Sequence, residues 1–279
     1  MILLDGKKLR DQILEELKLK VAKEKNDITL AIMYIGYNEA SEVYIKNKIK
    51  YAEMVGIKTK LIKFDENVKE SVVIDSINNL NNDKNIHGII IQSPISKHLD
   101  FKKLSNLIDS SKDVDGFTTE NVYKNYQNLP CLLPCTVKGI IRLLDRYNID
   151  IKGKNVTIVG RGMIVGKPLL LALLNKDATV TIAHSKTSNL KQICQNADIL
   201  ISAVGKNNLI KEDFVKEQAV VVDVGINKVD GKLCGDVDFE NVCKKCSYIT
   251  PVPGGVGPMT IAMLLENTYD AYKVGEKNG

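Results

Sequence analysis

The chain has 279 residues, 44% hydrophobic and 26% charged, the composition of a folded protein of one large or two ordinary domains. Lys and Arg exceed Asp and Glu by 39 to 34, and the resulting +5, spread along the chain, is too mild to argue for a nucleic-acid partner. No apolar run is long enough for a membrane span or a signal peptide, and the six irregularly spaced cysteines match no secreted disulfide framework, so a cytoplasmic protein with reduced thiols is expected.

Leu9, Ile13, Leu17 and Val21 recur at helical spacing behind Asp5, a capping residue, and predict an opening amphipathic helix. A strand over 30–35 ends at Gly36. Ser41 then caps a helix reaching about Val55, with Gly56 at its C′ position. A strand over 58–64, a helix over about 68–80 and a strongly apolar strand over 86–91 follow. Residues 109–131 are polar and rich in turn formers, which places a domain boundary near 120–135. A second alternating series begins at Lys154, with strands over 155–159, 179–183, 199–203 and 220–224, and a last helix starts at Pro258 behind a Gly/Pro-rich loop. Alternation of this kind predicts the α/β class, with parallel sheets covered by helices on both faces.

The strand over 155–159 runs into Gly160-Arg161-Gly162-Met163-Ile164-Val165-Gly166, and an apolar helix follows. Glycines between a strand and a helix let the backbone approach a pyrophosphate, whose charge is stabilised by the helix N-terminus. The spacing G-x-G-x-x-x-G is one residue longer than the usual dinucleotide fingerprint, but its setting of strand, turn, helix and strand is the expected one. The next strand ends in Ala183-His184-Ser185-Lys186, without the carboxylate that binds the ribose of NAD. A carboxylate there would repel a 2′-phosphate, whereas Arg161, Ser185 and Lys186 can hold one, so the cofactor read from these residues is NADP.

In the first half, Tyr44 and Lys48 stand one turn apart on one helix face. Lys48 lies roughly 60° from the centre of the stripe made by Ile45, Ile49 and Ala52, while Lys46 and Lys50 fall further round. It is the lysine best placed for partial desolvation, either as a base or with its stem lying along apolar surface. Gln92 follows the apolar strand over 86–91, where ligands of open α/β sheets sit. Asp115 lies in the turn Asp113-Val114-Asp115-Gly116. The segment Pro251-Val252-Pro253-Gly254-Gly255-Val256-Gly257-Pro258 is stiff and closely approachable, which favours lining a ligand.

Tyr44-x-x-x-Lys48, Gln92-x-Pro94, Asp113-Val114-Asp115-Gly116, Pro134-Cys135-Thr136, the loop 160–168 and the segment 253–260 occur in this order over nearly the whole chain. In this combination the sequence resembles the bifunctional methylenetetrahydrofolate dehydrogenase and methenyltetrahydrofolate cyclohydrolase family. It departs from the family at Ser93, Ser96, Val137 and Gly162, the last standing where a serine is usual. The resemblance implies hydride transfer from 5,10-methylenetetrahydrofolate to NADP+, then hydrolysis of the methenyl product to 10-formyltetrahydrofolate in one-carbon metabolism. It implies catalytic roles for Lys48, Tyr44, Gln92 and Asp115, with Lys48 assisting hydrolysis, Tyr44 stacking on the folate ring and Asp115 accepting hydrogen bonds from the pterin. It also implies that Pro253, Gly254 and Gly255 line the substrate site and that Gly160, Arg161, Gly162, Gly166, Ser185 and Ile226 bind the cofactor.

The family architecture implies a substrate domain over 1–125, with the C-terminal helix 258–279 packing back on it. It likewise implies a Rossmann-type NADP-binding domain over 126–257, ligands that share a cleft between the domains, and a homodimer. A dehydrogenase without hydrolase activity would lack the pairing of Lys48 with Gln92, and a non-catalytic NADP-binding protein would lack the polar residues of the first half. Cys243 and Cys246 have zinc spacing but are far in sequence from Cys131 and Cys135, so no metal is expected. Cys194 and Cys234 read as core fillers, His87 and His98 as structural, and His184 as a neighbour of the cofactor.

Overall fold

The computed structural model describes residues 1–278. In chain order the first elements are β1 (Ile2–Leu3), α1 (Gly6–Val21), β2 (Thr29–Ile35), α2 (Glu39–Val55), β3 (Lys58–Phe64), α3 (Glu70–Asn82) and β4 (Gly88–Gln92). Helices α4 (Phe101–Ser105), α5 (Thr119–Tyr126) and α6 (Cys135–Arg146) follow, then β5 (Asn155–Val159), α7 (Gly166–Leu174), β6 (Thr179–Ala183), α8 (Leu190–Gln195) and β7 (Ile199–Ser202). The chain ends with β8 (Val220–Asp223), β9 (Asn227–Val229), β10 (Lys232–Cys234), α9 (Phe239–Val242), β11 (Tyr248–Ile249) and α10 (Val256–Asn278). The expected α/β class holds, and Gly279, with which the expected last helix ended, lies outside the described residues.

The chain divides into two compact units, Asp11–Cys135 with Ile261–Gly279, and Met1–Arg10 with Thr136–Thr260. The expected substrate domain began at residue 1. Instead, Ile2 and Leu3 pair in parallel with Tyr248 and Ile249, which attaches the N-terminus to the second unit. A two-residue strand carries too little pattern to be seen in sequence.

In the first unit, β2 lies between β3 and β4 in a three-stranded parallel sheet. The central strand is buried along nearly its whole length, as expected when crossover helices cover both faces. One core contains Ala31, Met33 and Ile35 of β2, Ile89 and Ile91 of β4, and Val73, Ile77 and Leu80 of α3. Helix α2 is capped by Asn38, not Ser41: the Asn38 side chain accepts from the Ser41 N–H at 3.0 Å, which places Ser41 inside the helix. Gly56 ends it in the left-handed region, at φ 84°. The polar stretch read as a boundary contains α5, and its Asn121 and Asn125 are buried, an inversion of the usual pattern that hid the helix. Part of α10 packs within this unit, where Asn267 Nδ2 donates to the carbonyls of Val114 (2.9 Å) and Leu133 (3.0 Å).

The second unit is built on a parallel sheet in the order β1-β11-β8-β7-β5-β6. After β5 the chain adds β6 on one side and then returns to lay β7 on the other. The carboxyl end of β5 is thus a topological switch point, where ligands of open α/β sheets bind. Cys194 is buried in this core as expected, whereas Cys234 sits part-exposed on the hairpin of β9 and β10.

Candidate active site

Parallel pairing of β2 with β4 sets Gln92 opposite Tyr34 at the carboxyl end of the first sheet. Lys48, on the middle of α2, is half-buried, and Lys46 and Lys50 on the same helix are exposed. Lys48 Nζ donates to Gln92 Oε1 at 2.9 Å. The Gln92 amide is held in that sense because its Nε2 donates to the Ser93 carbonyl at 2.7 Å. Tyr44, one turn earlier on α2, is 48% exposed and so offers a ring face.

Asp115 reaches the same cluster through the segment before it. Asp113 forms a parallel bridge with Ile89, and the Ile89 N–H donates to the Lys112 carbonyl at 2.8 Å, so this segment runs beside β4. The buried Asp113 carboxylate accepts from the N–H groups of Gly116 (2.9 Å) and Thr118 (2.7 Å) and from Asn121 Nδ2 (3.0 Å). Asp113 therefore shapes the turn that presents Asp115. Gly116 has φ 71°, and a Cβ there would press on the carbonyl of Leu132 and the nitrogen of Pro134. Burial raises the Asp115 carboxyl above its ordinary value, against the pull of the nearby Lys48 charge. Cys135 Sγ lies 3.7 Å from Asp115 Oδ1.

In the second unit, the Gly160 N–H donates to the Ala183 carbonyl at 2.8 Å, which ties the turn after β5 to the end of β6. Gly160 has φ 122°, and a Cβ on it would collide with the Ala203 carbonyl at the exit of β7. Gly166 opens α7 so close to Gly160 O that a Cβ would collide there too. The sequence requires glycine at both positions to fold the turn this tightly. Gly162 differs, because a Cβ there meets nothing within 4 Å and the serine usual in the family would fit. Arg161, Ser185 and Lys186 are exposed around the turn, and no carboxylate follows β6 before Thr187. Met163, Ile164, Val204 and Ile226, each beyond the carboxyl end of a strand, are apolar and exposed, with Ile226 at 54%. A closely approachable glycine turn, cationic and hydroxyl donors and exposed apolar side chains fit a dinucleotide carrying a 2′-phosphate.

The expected substrate-lining residues Pro253, Gly254 and Gly255 belong to this second unit. Gly254 has φ 114°, and its carbonyl accepts from the Lys7 N–H at 3.0 Å. A Cβ on Gly6 would collide with Gly255 O, so this loop is also packing for the start of α1. Lys48, Gln92 and Asp115 come together in one unit, and Gly160, Gly166, Arg161, Ser185 and Ile226 in the other. The sequence reading missed Asp113 as the organiser of its turn. An Asp three residues before a glycine was the available signal. His87 is structural: its Nδ1 accepts from the Thr29 N–H (3.1 Å) and its ring meets Tyr272 edge-on.

A glycine turn at the switch point of a parallel sheet, together with a lysine, amide and carboxylate cluster on a second α/β unit, defines a nicotinamide-dinucleotide enzyme. Residues 4–115 match the family model of the tetrahydrofolate dehydrogenase/cyclohydrolase catalytic domain. Residues 134–276 match that of the tetrahydrofolate dehydrogenase/cyclohydrolase NAD(P)-binding domain. The chain belongs to the tetrahydrofolate dehydrogenase/cyclohydrolase family. It is 48% identical over 276 residues to the bifunctional protein FolD of Clostridium novyi, covering 98% of this chain and 99% of that one. The bifunctional dehydrogenase/cyclohydrolase of Campylobacter jejuni superposes with a TM-score of 0.97 at 47% identity, over 98% of this chain and 99% of that one. The Trypanosoma brucei dehydrogenase-cyclohydrolase complexed with NADP and an inhibitor has a TM-score of 0.94 at 33% identity, over 99% of each chain.

Proposed function

We propose that Lys48, Gln92, Tyr44 and Asp115 carry the folate chemistry of this chain, and that the glycine turn at 160–166 carries its NADP. The enzyme oxidises 5,10-methylenetetrahydrofolate to the methenyl compound and hydrolyses that to 10-formyltetrahydrofolate. When bound, NADP+ supplies the hydride acceptor. Tyr44 stacks on the folate ring and Asp115 accepts from paired N–H donors of the pterin, which orients the one-carbon bridge. Water then attacks the methenyl carbon, a carbon–nitrogen bond of the bridged ring breaks, and one proton is released. Lys48 Nζ is the group that relays protons in this step, held in place by Gln92 Oε1. Arg161 and Ser185 hold the 2′-phosphate with Lys186, and Ile226 packs on the cofactor. Pro253, Gly254 and Gly255 line the substrate.

The 2.9 Å contact of Lys48 with Gln92 carries this reading, because it holds a lysine at the carboxyl end of a parallel sheet. The retention of both Lys48 and Gln92 argues against a dehydrogenase lacking hydrolase activity. Catalysis is assigned to the unit Asp11–Cys135 with Ile261–Gly279, and cofactor binding to Met1–Arg10 with Thr136–Thr260. Family resemblance supports a homodimer working in the cytoplasm without nucleic-acid or membrane partners. Among the described residues no helix is long and apolar enough to cross a membrane. Purified protein given methylenetetrahydrofolate and NADP+ is expected to form NADPH and a transient methenyl absorbance that decays to 10-formyltetrahydrofolate. A methenyl compound that persists at its uncatalysed rate of hydrolysis would overturn the hydrolytic half.

A further inference from the structure

Beneath the exits of β7 and β8 lie two fully buried carboxylates that the chemistry above does not use, Asp223 and Asp236. Five donors converge on Asp236. Its Oδ2 accepts from Ser202 Oγ (3.0 Å) and the N–H groups of Val204 (2.8 Å) and Gly205 (3.2 Å). Its Oδ1 accepts from the N–H of Lys206 (2.7 Å) and from Asn227 Nδ2 (3.2 Å). Three successive backbone N–H groups pointing at one carboxylate fix the course of the chain after β7. Asp223 in turn holds Asp236: its Oδ1 accepts from the N–H groups of Asp236 (3.0 Å) and Gly225 (2.9 Å), and its Oδ2 from that of Val237 (2.9 Å). The neighbouring glycines make room for the pair. A Cβ on Gly225 would collide with the Asp236 carboxylate, and one on Gly235 with the Asp223 carboxylate.

Two buried carboxylates are costly to desolvate, and packing alone does not require them. They lie under the segments that carry Val204 and Ile226, and next to Ala203, whose carbonyl borders Gly160. We propose that Asp236 is a positioning residue for the dinucleotide site: its carboxylate sets the turn 204–206 and the start of β9, and so presents Val204 and Ile226 to bound NADP. The proposal rests on the cofactor reading given above. Asp236 touches neither folate nor the reacting atoms, so its effect falls on cofactor affinity and not on hydrolysis.

The test is Asp236→Asn, which keeps the size but points an amide donor at donors. We expect the KM for NADP+ to rise about tenfold or more, as for loss of hydrogen bonds to a charged acceptor, with dehydrogenase kcat nearly unchanged. Hydrolysis of added methenyltetrahydrofolate without NADP+ is expected to stay at the parent level. Ser202→Ala removes one donor only and is expected to raise the same KM by a few-fold, which keeps the proposal testable if Asp236→Asn folds poorly. Parallel loss of both activities in Asp236→Asn with no KM change in Ser202→Ala would overturn it, as would parent NADP+ affinity in both variants. Arg161→Ala, assayed alongside, separates the two levels. NADP+ binding indifferent to Arg161 would overturn the cofactor reading itself. Binding sensitive to Arg161 and indifferent to Asp236 and Ser202 would overturn only the role of Asp236.

Discussion

Replacing Gln92 by leucine removes the oxygen that accepts from Lys48 Nζ at 2.9 Å while nearly preserving the side-chain volume at the end of β4. The lost interaction is a hydrogen bond to a charged group, which contributes about 1.5–3 kcal/mol. Lys48 is half-buried, so water replaces part of that bond and the lower half of the range applies. At a factor of ten per about 1.4 kcal/mol, hydrolysis is expected to slow about tenfold to fortyfold. Dehydrogenase kcat, which needs alignment more than proton transfer, is expected to change only a few-fold. Gln92→Glu probes the same contact by charge. Its carboxylate keeps an oxygen that can accept from Lys48 Nζ, so hydrolysis in Gln92→Glu is expected to recover part of the rate lost in Gln92→Leu. Stopped-flow decay of methenyltetrahydrofolate measures both variants. Hydrolysis at the parent rate in Gln92→Leu would refute the coupling of Gln92 to Lys48.

Arg161→Ala is expected to weaken NADP+ far more than NAD+ in titrations followed by protein fluorescence, since only the former carries the 2′-phosphate. Equal losses for both cofactors would place the phosphate elsewhere. Gly166→Ala puts a Cβ into the backbone of Gly160 and Arg161, so dehydrogenase activity is expected to collapse while hydrolysis of supplied methenyl substrate persists. Burial pushes Asp223 up to about 6 from an ordinary 3.8, so the folded chain binds this proton more tightly than the unfolded one. That contribution to stability is fully present below about 3.8 and is lost as pH rises through about 6. Denaturant titrations should accordingly show Asp223→Asn gaining stability relative to the parent between pH 4 and 7, by about 3 kcal/mol. A constant difference over that range would contradict the assignment.

Most of the strands were legible in the sequence because parallel strands buried on both faces read as continuous apolar runs. The strand over 155–159 matches β5 residue for residue. The glycine turn was equally legible, since Gly160 and Gly166 answer to backbone collisions that no other residue avoids. Lys48 could be separated from Lys46 and Lys50 by its angle to the apolar stripe, which is why its half-burial was anticipated. Elements whose pattern is set by distant partners were not legible. β1 exists only through β11, α5 turns Asn121 inward toward Asp113, and the Asn38 cap competes with an equally suitable Ser41 three residues on. The Asp223 and Asp236 pair escaped for the same reason. Most of its donors are backbone groups from loops far apart in the chain, and an Asp beside a glycine reads as turn chemistry.

The central claim, that one lysine carries the hydrolytic step beside a separate hydride-transfer function, is tested most directly by Lys48→Met. Methionine keeps the length and apolar stem of lysine while removing the amine. With methylenetetrahydrofolate and NADP+, this variant is expected to bind NADP+ like the parent, but to accumulate methenyltetrahydrofolate, which then decays no faster than in buffer. Enzymatic decay of the methenyl compound at the parent rate would contradict the assignment of Lys48.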